Sequence, residues 1–159
     1  MKFKAFFHIQ RTNQKSLFNL LRTQTTKRRE LGVYVNKNYY IFTLKNYKIL
    51  DRIDRDYRSV DVYLLNHLIL KRILKINPDD KNKVIFSANA GELIRQADRD
   101  KSPLVFLLKP AGVADIIYLA KAGKKMPAKT TYFYPKVPSG LVIYKFSEAM
   151  TYGAKRHKS

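Results

Sequence analysis

The sequence predicts an α+β fold, or the related α/β arrangement: a mixed sheet with helices packed on it and an antiparallel hairpin in its N-terminal part. Three observations carry this. Residues 32–36 and 39–44 are rich in β-branched and aromatic side chains and are joined by the short turn Asn36-Lys37-Asn38, the pattern of a β-hairpin. Leu64, Leu65, Leu68, Ile69, Ile73 and Leu74 recur at three- and four-residue spacing, which draws one apolar stripe along a helix over residues 61–76. Residues 104–108 form an unbroken apolar run between Pro103 and Pro110, as a strand covered on both faces requires. Strands alternating with amphipathic helices bury their apolar faces by layering.

The remaining elements follow in chain order. Over residues 2–9, Phe3, Ala5, Phe7 and Ile9 alternate with Lys2, Lys4 and His8, which predicts a first strand. Thr12 or Asn13 caps a helix running to about Arg29, whose apolar positions Leu17, Phe18, Leu20 and Leu21 form a narrow stripe. Lys27, Arg28 and Arg29 complement the dipole at its C-terminal end, or in a sharper reading clamp a phosphate. Residues 47–59 are a charged connector in which Asp51, Asp54 and Asp56 interleave with Arg52, Arg55 and Arg58. Local ion pairing accounts for it, since the turn glycine and closing Glu of a calcium loop are missing. Asn77-Pro78 stops the central helix, and His67 lies one position off its stripe as a boundary residue. A short strand over 83–87 and a helix over 90–98 capped by Ser87 or Asn89 precede the buried strand. A helix over 112–121 follows it, with Val113, Ile116, Ile117 and Ala120 inward and Gly123 as its stop. Ser139-Gly140 turns the chain into a last alternating strand, 141–146. One domain over 1–150 with a basic tail over 151–159 is expected.

Composition narrows the class of function. With no cysteine among 159 residues there is no disulfide framework, thiolate nucleophile or zinc-thiolate site, which suits a cytoplasmic protein. No stretch reaches the roughly 20 apolar residues of a membrane span. The formal net charge is +20, unevenly placed: residues 1–50 hold eleven Lys/Arg against one acid, 51–100 ten against nine, and 101–159 eleven against two. Such an excess attracts polyanions, so nucleic acid is one expected partner, with Lys27, Arg28, Arg29, Lys124 and Lys125 as contact candidates. A compositional bias toward lysine is the plainer account, but it normally brings glutamate with it, and only Glu30, Glu92 and Glu148 are present.

Chemistry is densest over residues 126–146, where Pro127, Pro135 and Pro138 exclude a continuous helix. Ammonium groups, hydroxyls and free loop amides all donate to phosphate oxygens, which makes Lys129, Thr130, Thr131, Tyr132, Tyr134, Lys136 and Ser139 a candidate anion site, with Lys109 at the end of the buried strand beside it. Lys129 and Lys136 are seven residues apart, a span of up to about 25 Å when extended, so one anion is shared only if the loop folds back. Neither nucleotide-cradling glycine loop is present, the three histidines are far apart, and no carboxylates pair for acid-base work. No metal site and no enzyme complete within this chain is indicated.

The order Met126-Pro127-x-Lys129-Thr130-Thr131-Tyr132-Phe133-Tyr134-Pro135-Lys136-x-x-Ser139-Gly140-Leu141-Val142 resembles the C-terminal signature of an uncharacterised family, domain of unknown function 1015. Val60-Asp61-Val62 with His67, and Phe106 to Pro110 followed by Ala122 to Pro127, resemble it too, while Thr130 and Ala111 depart from its usual Ser and Thr. The resemblance implies a longer architecture whose upstream part is similar to ParB/sulfiredoxin-like proteins, a group that includes nucleotide-dependent free-serine kinases. The chain would then be an accessory anion-binding domain. Its site would be completed by an N-terminal ParB-like domain or chain, with a nucleotide as the implied cofactor and a phosphorylated small molecule as ligand. A basic nucleic-acid-binding module is the competing expectation, and a structural domain without ligand the third.

Overall fold

The computed structural model describes residues 2–23, 28–52, 54–100, 104–127 and Thr130. Its centre is the expected hairpin, β2 (Glu30–Val35) and β3 (Asn38–Leu44), with Tyr34 opposite Tyr39 and Val35 opposite Asn38. Asn36 and Lys37 both take positive φ, 48° and 60°, as the tight turn that matches strand twist demands. Asn38 braces that turn by donating from Nδ2 to the Asn36 carbonyl at 2.7 Å. Strand β1 (Phe7–Thr12) pairs with β3, and β4 (Leu104–Leu107) pairs with β2, giving the order β1-β3-β2-β4. The α+β class holds, but every pairing among the described strands is antiparallel, where the sequence predicted a mixed sheet.

Period-two alternation sends Leu31, Val33, Phe42 and Leu44 to one face, with Phe7 beside them. Helix α2 covers this face. It runs Asp61–Leu64 in α geometry and Leu65–Leu74 in the wider π geometry, and it seats Leu64, Leu65, Leu68, Ile69 and Ile73 on the sheet. Lys75 in the left-handed region, φ 60°, ends it ahead of Asn77-Pro78. The opposite face carries Tyr34, Val105 and Leu107 under α1 (Gln14–Arg22) and α3 (Ala90–Arg99), which contribute Leu17, Ile94 and Ala97. Asn13 caps α1 by accepting from Ser16 N–H at 2.8 Å, and Asn89 caps α3 by accepting from Glu92 N–H at 3.1 Å. Both faces of β4 are covered, as its apolar run requires; only Leu104 at its start is exposed.

Five sequence expectations are corrected. Residues 2–5 form a 3-10 turn rather than strand, because Phe3 folds under the sheet to pack on Phe42 and Phe106, with ring centroids 5.5 and 6.4 Å away. Helix α1 ends at Arg22 instead of Arg29: past Leu21 there is no apolar side chain to bury, and Thr23 closes the helix through Leu20. Residues 83–87, expected as a strand, pair with no described strand. Backbone bonds from Lys83 and Val84 to Asp80 turn the chain there, so Val84 reaches the core while Ile85 and Phe86 stay exposed. In α4 (Val113–Lys121) Leu119 is the buried residue, and Val113, Ile117 and Ala120 face outward. That helix rests on the short turn Arg55–Tyr57, so a different side is inward. The connector's Asp54 and Asp56 do not pair with neighbouring arginines but with Lys124, far along the chain. The expected strand 141–146 and the tail 151–159 lie outside the described residues.

Candidate functional site

Three groups of charged side chains bear on function. The first is closed. Register alone builds part of it: Gly32 faces Leu107 across β2 and β4, and continuing two residues brings Glu30 opposite Lys109, whose ammonium stands 3.8 Å from the Glu30 carboxylate. Arg29, just before β2, donates from Nη1 to the Ser59 carbonyl at 2.9 Å and stands 3.4 Å from Asp61, the first residue of α2. Burial pushes the Asp61 carboxyl up, against the pull of Arg29, of Lys109 and of the Lys109 backbone N–H. Two cations and two anions sum to zero, so Arg29 and Lys109 are engaged inside the fold. Sequence reasoning found both residues but not their partners, since the pairing depends on which strand lies beside which.

The second group fixes α4. Lys124 lies between Asp54 and Asp56, 2.5 Å from each carboxylate, and the Tyr118 hydroxyl donates to Asp56 at 2.8 Å. Hydrogen bonding from Lys124 holds both aspartates below the usual carboxylate range, and the two carboxylates in turn raise the Lys124 ammonium. Beneath them Tyr57 stacks on Tyr63 at 4.4 Å, and Tyr63 on His67 at 4.1 Å. Lys124 lies 5.6 Å over the Tyr57 ring, and the Tyr57 hydroxyl donates to the Lys125 carbonyl at 2.7 Å. Burial lowers the His67 pKa, with Lys71 adding to the shift, so the ring is a neutral stacking partner at the helix boundary.

Of the other candidates, Arg28 and Lys125 are exposed, and Thr130 donates through its amide and hydroxyl to the Pro127 carbonyl. Lys27, Lys129, Thr131, Tyr132, Tyr134, Lys136 and Ser139 lie outside the described residues, and so does the expected cleft shared by Lys129 with Lys136 or Ser139. Among the described residues no three His, Asp or Glu side chains gather to hold a metal. No helix among them is long and apolar enough to cross a membrane.

Of the third group, only Arg28 was singled out from the sequence. Every described Lys and Arg of residues 1–50 except Arg29 is exposed, and among the described residues none of the exposed ones makes an ion pair. Several acids are engaged elsewhere: Glu30 with Lys109, Asp54 and Asp56 with Lys124, Asp61 with Arg29, Asp80 with Lys83, Asp98 with the Tyr34 hydroxyl, and Asp115 with the Gly112 amide, while Asp79, Glu92 and Asp100 are exposed after α2 and on or beside α3. A basic corner results where the N-terminal turn meets the loop after β3. Lys45 donates its backbone N–H to the Phe6 carbonyl at 2.9 Å and its ammonium to the Lys4 carbonyl at 2.7 Å, and Arg72 of α2 lies 5.4 Å over the Phe6 ring. The one signal for it in the sequence was the run of residues 1–50 with a single acid. Tyr34, Tyr39 and Tyr40 give no stacking platform for bases, because helices cover both faces of their sheet. No family model, curated protein or solved structure matches the chain.

Proposed function

We propose that the chain binds nucleic acid through phosphate contacts from its N-terminal basic surface, with little base readout. One observation supports this above the rest: among the described residues the exposed cations of residues 1–50 make no ion pair, while Glu30, Asp54, Asp56 and Asp61 are paired with other bases. Uncompensated lysines and arginines displace the counterions of a polyanion, and that release drives binding. Affinity for mixed-sequence DNA and RNA measured against salt is the test. Six neutralised phosphates give a log-log slope of roughly −5 on duplex DNA, since each contributes about −0.9. Binding insensitive to salt, or no retention on heparin at moderate salt, means that the charge serves solubility alone.

A second reading keeps a small phosphorylated ligand at the loop over residues 126–139. It is supported by that loop's donors and by the family resemblance, which supplies an N-terminal ParB-like partner, a nucleotide cofactor and a role in serine metabolism. Because the Lys109 ammonium already faces Glu30, Lys129 and Lys136 would carry the charge of this site. Titration with nucleotides and phosphorylated metabolites, repeated on Lys129→Ala and Lys136→Ala, tests it; affinity unchanged by both substitutions removes it.

A further inference from the structure

Between the N-terminal turn and the end of α2 lies a cleft of about 320 Å³, lined among others by Phe6, Leu44, Asn46, Lys48, Ile49 and Arg72. That volume is at the lower end of small-ligand pockets, about 300–1,000 Å³. We infer that this cleft is a phosphate-binding site, in which Arg72, Lys48 and the Asn46 carboxamide donate to the oxygens of one phosphoryl group. The inference rests in part on the polyanion reading, and it adds the place where a phosphate is anchored.

Its walls are fixed by bonds that use none of these three donors. Phe6 N–H donates to the Phe3 carbonyl at 3.0 Å, and Lys45 ties the loop after β3 to the Phe6 and Lys4 carbonyls. Phe6 packs on the core, and its ring holds the Arg72 guanidinium from below, which leaves the planar fork of donors free to meet a ligand. The Asn46 carboxamide oxygen accepts from Lys48 N–H at 2.9 Å, so its NH2 end is the one left to donate. Ammonium, guanidinium and carboxamide NH2 offer donors only, and among the described residues no carboxylate lines the cleft. A ligand with several acceptor oxygens and negative charge satisfies such a set, and a phosphoryl group has both. Leu44 and Ile49 supply apolar wall, which lowers the local dielectric around the bound charge.

Two sources present this chemistry, a phosphate of nucleic acid and a free phosphorylated small molecule. The probes are therefore pyrophosphate and a short labelled RNA, applied to the full chain and to Arg72→Gln, Lys48→Gln and the neighbouring control Lys71→Gln, each checked for an unchanged melting temperature. Pyrophosphate is expected to shift the side-chain NMR signals of Arg72 Nε–H and the Asn46 NH2 saturably. Arg72→Gln and Lys48→Gln are each expected to weaken that binding about tenfold or more, as loss of a charge-assisted bond does, and Lys71→Gln to leave it nearly unchanged. A matching loss of RNA affinity in the same two variants assigns the site to nucleic acid; pyrophosphate affinity lost with RNA affinity kept assigns it to a free ligand. Shifts that climb without saturating, or equal pyrophosphate affinity in all three variants, overturn the site even where salt-sensitive RNA binding persists. Saturable pyrophosphate binding with no RNA binding at all leaves the site standing and removes the polyanion reading instead.

Discussion

Gly32 in the middle of β2 shows how a single residue sets the distance between layers. A Cβ built there would stand 2.9 Å from the Leu107 Cβ and 3.0 Å from the Leu17 Cδ1, closer than side chains pack. Leu17 is fully buried and cannot swing away, so α1 or β4 would have to move. Gly32→Ala is expected to destabilise by about 1–3 kcal/mol, the usual cost of overpacking a core. A lower urea midpoint at unchanged slope would register it. Gly91 in the first turn of α3 is the contrast: the nearest atom to its Cβ is 3.5 Å away, and Gly91→Ala is expected to be neutral or to stabilise by up to about 1 kcal/mol. Equal losses at both positions would mean that close approach of α1 is not what Gly32 provides. At this scale the sequence announced what is local. Asn13 and Asn89 read as caps because a cap needs only the next three residues, whereas the neighbours of Gly32 are fifteen residues upstream in α1 and on a strand far down the chain.

Elements were legible where one face is long and apolar and obscure where docking is polar. Helix α2 and the hairpin were evident from period alone. The four apolar positions of α4 suggested an inward stripe, yet Val113 and Ile117 are 70% and 51% exposed, because Tyr118, Lys124 and Leu119 hold the helix to the connector. Polar partners sixty to seventy residues apart leave no periodic trace. This attachment is expected to depend on acid. The folded-state pKa values of Asp54 and Asp56 are lowered, chiefly by hydrogen bonds from Lys124. A carboxyl held below its unfolded value stabilises the fold above that value, about 3.9 for aspartate, and loses the contribution as pH falls through the folded value. Hydrogen-exchange protection of residues 113–121 is therefore expected to drop below about pH 4 while that of β2 and β3 persists. Lys124→Met should lower α4 protection at neutral pH and flatten its dependence on acid. Protection in α4 that tracks the sheet at every pH would show that Leu119 alone holds the helix.

Across the whole molecule the net charge of +20 was plain from composition, but its effect on stability depends on arrangement. Acids paired one to one with bases would make salt a destabiliser, because screening weakens attraction. Here the described ion pairs are few and close, whereas the exposed cations of residues 1–50 make no ion pair with a described carboxylate, so repulsion acts over longer distances than attraction. Screening acts first on the longer range: the Debye length falls from about 30 Å at 0.01 M to about 8 Å at 0.15 M, longer than the contacts at Lys124 but comparable with spacings across the surface. The melting temperature is therefore expected to rise as sodium chloride increases over that interval. Phosphate at matched ionic strength should raise it further, because a ligand that binds only the folded chain adds RT ln(1 + [L]/Kd) to its stability. In Arg72→Gln the increment specific to phosphate should shrink while the rise with chloride remains, which separates a bound anion in the Phe6–Arg72 cleft from general screening. A melting temperature that falls with chloride would mean that the short ion pairs at Lys124 and Glu30 outweigh surface repulsion, and that the basic surface costs the fold less than its charge suggests.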